Sequence, residues 1–304
     1  MLSRTLLLKM ADSPLLRRLV ESRGSVFAAR FVAGSTLDDA IDTIRALNRR
    51  GIDVTLSHLG EHVHDPTAAW AEADIFCEAL ERIQKENVRC HLSVKPSQMA
   101  LDVDKAVCES AIRKVVEKAA ETGNRVRLDM EDSNTTDDIL GITRRIHRNF
   151  PNIGVVIQAY LRRSPNDIDA LNEEKISIRL CKGAYNEPAT VAYPTKAEVD
   201  AQYVSLMKVL LKNGTLPAFA THDEKMIQAA IQAVAEYGGA GVATNWEFQM
   251  LYGIRRELQH TIADRGHRIR VYVPYGTEWF PYYMRRLAER PANVVFFLKS
   301  MLKR

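Results

Sequence analysis

Residues 153–181 read IGVVIQAYLRRSPNDIDALNEEKISIRLC: a short β-branched run, a polar turn, a longer stretch of helical periodicity, and a second β-branched run. That order is strand, loop, helix, strand, in about thirty residues, the length of one βαβ unit. The same unit recurs outward in both directions. Strands are expected at 52–57 (IDVTLS), 88–94 (VRCHLSV), 125–130 (RVRLDM), 153–159 (IGVVIQA), 176–181 (ISIRLC), 217–221 (PAFAT), 241–245 (GVATN) and 269–273 (IRVYV). The segments between them, 102–121 and 197–213 among them, carry apolar residues at three-and-four spacing and end near Gly or Asn, as helices do. Eight such units in about 250 residues specify an α/β fold of the (βα)8 TIM-barrel type. A doubly wound sheet is the alternative that the pattern leaves open.

Composition agrees with a soluble globular chain. The 304 residues are 46% hydrophobic and 26% charged, with 15 Gly and 11 Pro, which excludes collagen, coiled coil and disorder. The net charge of +4, from 42 basic and 38 acidic residues, gives no reason to expect a nucleic-acid partner. Cys77, Cys90, Cys108 and Cys181 lie far apart with no CxxC, so neither a zinc ribbon nor a disulfide framework is expected, and a reducing, cytoplasmic compartment fits best. No run approaches the roughly 18 apolar residues that cross a bilayer. The N-terminal stretch MLSRTLLLKMADSPLLRRLVESR reads as an amphipathic helix rather than a presequence, because Asp12 and Glu21 interrupt it. No linker or low-complexity block divides the chain. One domain over 1–304 is expected, with N-terminal helices at 1–45 and barrel plus C-terminal helix at 46–304.

In a barrel the chemistry gathers at the carboxyl ends of the strands. Here the second strand ends at Lys95, the third carries Asp129 and Glu131, and the fourth ends at Gln158 and Tyr160. The fifth holds Arg179 and Lys182, followed by Gly183, where a backbone can approach a flat ligand. The sixth ends in Thr221, His222 and Asp223, the seventh in Asn245, and the eighth carries Tyr272. One strand-end Lys or Asp is ordinarily a solvated loop residue; seven strands closing this way suggest a mouth for an anionic ligand. No GxGxxG follows a strand and there is no GxxxxGK[ST], so neither a Rossmann site nor P-loop phosphoryl transfer is expected.

Near the C-terminus, Tyr282, Arg285, Arg286 and Glu289 fall at i, i+3, i+4 and i+7, on one helix face. Two arginines held by an acid one turn on would make a fork for a carboxylate. The aromatic approach through Tyr272, Tyr275, Trp279 and Phe280 describes a pocket for a small, partly apolar organic or amino acid.

Taken together, SVKPSQ around Lys95, RLDME around Asp129, VIQAY around Gln158, RLCKGAY from Arg179 to Tyr185, ATHD around His222, EFQMLYG around Leu251, VYVPYG around Tyr272 and YYMRRLAE from Tyr282 to Glu289 resemble the proline dehydrogenase family in its short bacterial form. The resemblance implies a distorted (βα)8 barrel with an N-terminal helical extension and a final helix over the mouth. It implies noncovalent FAD and oxidation of L-proline to Δ1-pyrroline-5-carboxylate, the first step of proline catabolism. Hydride would pass from proline C5 to flavin N5 and electrons onward to a membrane quinone. By the same resemblance, Arg285 and Arg286 grip the proline carboxylate, Glu289 holds them, and Lys95 approaches from the opposite side. Tyr272, Tyr282, Tyr185, Ala184 and Leu251 wall the pyrrolidine ring, and Asp129 supports the pocket beside Lys95. Gln158, Arg179, Lys182, Gly183 and Ala184 are the implied contacts of the isoalloxazine and pyrophosphate. Thr221, His222, Asn245 and Glu247 would lie further along the cofactor, with Thr195 and Lys196 as weaker phosphate candidates.

Asn186 departs from the family's larger bifunctional members, which carry Trp after GAY. With no room in 304 residues for an aldehyde dehydrogenase, the product is expected to leave for a separate pyrroline-5-carboxylate dehydrogenase. The N-terminal helix is a candidate peripheral contact with the inner face of the cytoplasmic membrane. Two rivals remain. A metal-dependent hydrolase would use His62, His64 and His222, but the HxH pair lies several residues past its strand. A non-catalytic binding module would hold proline without oxidising it.

Overall fold

Eight parallel strands close into one barrel in chain order: β1 (Asp53–His58), β2 (Cys90–Val94), β3 (Val126–Leu128), β4 (Ile153–Gln158), β5 (Ser177–Cys181), β6 (Thr215–Ala220), β7 (Glu247–Leu251) and β8 (Ile269–Tyr275), with β8 pairing back onto β1. The computed structural model describes residues 30–60, 63, 65–237, 245–280 and 282. Helix α1 (Leu37–Asn48) precedes β1. After β1 to β7 come, in turn, α2 (Pro66–Lys85), α3 (Lys105–Glu121), α4 (Thr136–His147), α5 (Ser164–Glu173), α6 (Lys196–Asn213), α7 (Glu224–Glu236) and α8 (Arg256–Asp264). The expected N-terminal helix and residues Arg285, Arg286 and Glu289 lie outside the described residues.

Local chemistry starts the helices where the sequence carries capping residues. Asp104 accepts from the Ala106 and Val107 amides at the start of α3, and Asp65 with Pro66 opens α2. Thr36 with Asp39 and Thr195 with Glu198 form capping boxes on α1 and α6. Helix α1 runs through residue 45 and packs Ala40, Ile41 and Ile44 into the core against β1 and β8.

Strand alternation divides the molecule into two interiors. One parity, including Val54, Leu56, Leu92, Val94, Leu128, Val155, Ile178, Phe219, Phe248 and Val271, joins the helices in one apolar cluster. The other parity fills the barrel and is unusually polar. Arg179 on β5 reaches Ser93 on β2, Arg127 on β3 reaches Ser177 on β5, and Arg270 on β8 reaches Glu247 on β7. Between β5 and β6 the register shifts, Ser177 pairing with Thr215 but Arg179 with Ala218, and the intervening Leu216 sits at φ 48°. That bulge distorts the barrel locally.

Seven expected strands fall on observed ones; the seventh does not. The seventh strand of the barrel is Glu247–Leu251; of the expected 241–245, residues 241–244 lie outside the described residues and Asn245 stands in the turn before the strand. The β-branched GVATN looked the better strand, whereas EFQML alternates polar and apolar because Glu247 and Gln249 face a polar barrel interior.

Candidate active site

Asp129 follows β3 directly, and four side chains from three other strands converge on it. Ser93 Oγ donates to its Oδ1 at 2.7 Å and Arg179 Nη1 donates to the same oxygen at 2.9 Å. The Tyr272 hydroxyl donates to Oδ2 at 2.9 Å, and Lys95 Nζ stands 3.9 Å from that oxygen. Lys95 also donates to the Tyr272 oxygen at 3.3 Å, and Arg179 lies over the Tyr272 ring. Burial and the Asp129 carboxylate push the Tyr272 phenol up from its ordinary value, so it remains a protonated donor at neutral pH. Two cations around one carboxylate leave this cluster with an excess positive charge among the described residues. Such a site recruits an anion.

Sequence reading found Lys95, Asp129, Arg179 and Tyr272 because each is a polar residue near the carboxyl end of a strand. It missed Ser93, an ordinary strand serine whose only signal is its place two residues before Lys95, on the same strand face.

Around this hub the mouth is built from strand ends. Gln158 is buried at the end of β4, its side-chain Nε2 donating to the Glu131 backbone carbonyl at 2.9 Å and its backbone carbonyl accepting from Ser164 Oγ. Glu131 accepts from the Ser97 amide and hydroxyl, tying the β3 loop to that after β2. Gly183 has φ 114°, and a Cβ there would run into the Tyr160 ring. Only glycine fits. Beyond it Ala184 and Tyr185 are exposed, as is Asn186. His222 Nε2 accepts from the Leu251 amide at 2.9 Å, joining the ends of β6 and β7 and bringing two expected site residues together. Thr221 Oγ1 accepts from the Asp223 amide, and Tyr282 is buried.

Lys182 is held by Asp200 and by Asp223 at 2.9 Å, and Lys196 joins the same two carboxylates. This salt-bridged rim engages Lys182 and Lys196 with protein anions. Thr195, a phosphate candidate in the sequence, serves α6 as its cap.

Asn245 and Glu247 are corrections. Both lie at the amino end of β7, where Glu247 accepts from Arg270 at 2.7 Å, so they are at the opposite end of the barrel from Lys95 and Asp129. The seventh strand begins at Glu247, six residues later than the expected 241, and that displacement put them at its amino end. Among the described residues no group of His, Cys, Asp and Glu could hold a metal ion, and His62 and His64 lie outside the described residues.

With this geometry in hand, the family model for proline dehydrogenase matches residues 40–299. The chain belongs to the proline dehydrogenase family. Within that family it is 42% identical over 277 residues to proline dehydrogenase 1 of Bacillus subtilis strain 168, covering 91% of each chain. It is 39% identical over 307 residues to the proline dehydrogenase of Deinococcus radiodurans, covering 99% of this chain and 98% of that one. Among solved structures it is similar to a proline utilization A (PutA) protein of Bdellovibrio bacteriovorus inactivated by N-propargylglycine, with TM-score 0.79 and 28% identity, over 86% of this chain and 32% of that longer one. The chain is an enzyme of the proline dehydrogenase family, in its short form, on a (βα)8 barrel.

Proposed function

We propose that the protein, acting as one domain, oxidises L-proline to Δ1-pyrroline-5-carboxylate with noncovalently bound FAD, passes electrons to a membrane quinone, and releases its product to a separate dehydrogenase. The observation that carries this reading is the Lys95–Asp129–Tyr272–Arg179 cluster at the carboxyl end of the barrel, in a chain of the proline dehydrogenase family.

The residues present fit a flavin. Arg179 Nε and Nη2 are buried with no hydrogen-bond partner among the described residues, two donors suited to the polar edge of a ring system. Gly183 leaves the β5 loop without a side chain beside Tyr160. Arg179, Gln158, Gly183, Ala184, Thr221 and His222 are the residues we assign to hold the cofactor, with Lys182 at the rim. FAD, when bound, supplies the hydride acceptor for proline C5.

The chain's own part is position and charge. Lys95, anchored by Tyr272 and Asp129, presents its ammonium to the substrate carboxylate, and Arg285 and Arg286, held by Glu289, take the other side. Clamping the carboxylate fixes the pyrrolidine ring, which Tyr185, Leu251, Tyr272 and Tyr282 enclose. Binding energy remote from the reacting carbon thus sets the approach. Arg285→Met is expected to raise the KM for proline about ten- to hundred-fold, the loss of one charge-assisted bond of about 1.5–3 kcal/mol; an unchanged KM removes Arg285 from the clamp.

The deciding experiment is an anaerobic visible spectrum before and after L-proline. A yellow protein that bleaches with L-proline and not with D-proline supports both cofactor and substrate. A yellow protein that does not bleach overturns the substrate, and a colourless one that stays inactive with added FAD overturns the whole reading.

A further inference from the structure

At the end of the barrel opposite Lys95 and Asp129, the amino ends of the strands surround a cavity of about 570 Å³. That size lies within the range of small-ligand pockets. Its lining holds five arginines, Arg89, Arg125, Arg127, Arg268 and Arg270, against two carboxylates, Asp53 and Glu247. Both carboxylates are already engaged. Glu247 accepts from Arg270 at 2.7 and 3.1 Å, and Asp53 accepts from Arg89 at 2.7 Å and from Arg270 at 3.4 Å.

Arg127 is differently placed. It donates to the Val155 and Ser177 carbonyls and to the Ser177 hydroxyl, and neither it nor Arg125 has a carboxylate partner among the described residues. Burial and the guanidiniums of Arg179 and Arg270 push Arg127 down to about 9 against the opposing pull of Glu247 and Asp129, which leaves it charged at neutral pH with no carboxylate in ion-pair contact among the described residues. His91, on the same wall, is driven well below its ordinary value by burial and Arg270 and stays neutral. Five guanidiniums facing two carboxylates leave three positive charges around a walled space. Guanidinium forks match carboxylate and phosphate oxygens in pairs.

We propose that this cavity is a second binding site, for a small polyanion carrying phosphate or several carboxylates, at the end of the barrel away from the Asp129 cluster. None of the residues assigned above to proline or to the cofactor lines it.

The test uses the protein as purified, titrated with inorganic phosphate, pyrophosphate and citrate at constant ionic strength, and read by calorimetry and thermal unfolding. At least one anion is expected to bind saturably and raise the melting temperature, with affinity unaffected by excess L-proline. The better of pyrophosphate and citrate identifies the chemistry as phosphoryl or carboxylate. Arg125 and Arg268 are exposed, so Arg125→Ser with Arg268→Ser should fold and weaken binding at least tenfold, while bleaching by proline stays as in the parent. Arg127→Lys, which keeps the charge and loses the fork, should weaken binding less than Arg127→Gln. A stabilisation that follows ionic strength alone, an affinity unchanged in the double variant, or displacement by proline would overturn the proposal.

Discussion

At Asp129 one carboxylate collects donors from Ser93, Arg179 and Tyr272, with Lys95 within ion-pair reach. Its charge is what keeps Lys95 and Arg179 oriented, so Asp129→Asn is expected to lower kcat/KM for proline about ten- to hundred-fold, from about 1.5–3 kcal/mol of lost charge-assisted bonding. Steady-state kinetics beside a melting curve would check it, and a parental kcat/KM would remove Asp129 from the site. Ser93→Ala deletes one neutral donor to the same oxygen, and a smaller loss of about fivefold is expected, near 1 kcal/mol. The charged members of this cluster were legible in the sequence because charge is rare near the end of a buried strand. Ser93 was not, since only the convergence of β2, β3 and β5 gives its hydroxyl a charged partner.

The elements repeat one plan in which capping residues do both structural and site work. Thr195 closes the capping box of α6, and Thr195→Ala should cost about 0.5–2 kcal/mol in urea unfolding. An unchanged midpoint would show that tertiary packing alone starts that helix. Asp223 is N-cap to α7 and partner to Lys182, whose hydrogen bond holds its carboxyl at about 2 against an ordinary 3.8. A carboxyl pulled down on folding contributes stability above its unfolded value and loses it as pH falls toward the folded one. The acid limb between about pH 4 and 2 should therefore flatten in Asp223→Asn. Strand and helix positions followed from periodicity for seven units. The seventh failed because a strand facing a charged interior alternates Glu, Phe, Gln, Met, Leu and presents few of the β-branched residues that mark the others.

Over the whole molecule the distinguishing feature is the polar barrel interior, where ion pairs replace the usual branched apolar layers. Burial opposes the charge on Glu247, yet Arg270 outweighs it and holds the carboxyl at about 2. Glu247→Gln would leave Arg270 buried without its main partner, and a loss of about 3–5 kcal/mol in denaturant unfolding is expected. His91 gives a second pH signature. Its folded value lies well below the ordinary 6.5, so the unfolded chain takes up the proton first and stability falls as pH drops below about 6.5. Unfolding measured from pH 7 to 5 should show this slope, and His91→Gln should remove it. What the sequence determined by itself was the eight-fold βα pattern, the polar strand ends and the family likeness, because period and motif are properties of neighbouring residues. Which end of the barrel each charge occupies was decided only by the closed sheet. A six-residue shift of β7 carries Asn245 and Glu247 from the expected mouth to the opposite rim, and five arginines drawn from β2, β3, β8 and their flanking turns meet there because a closed barrel brings strands distant in sequence around one axis.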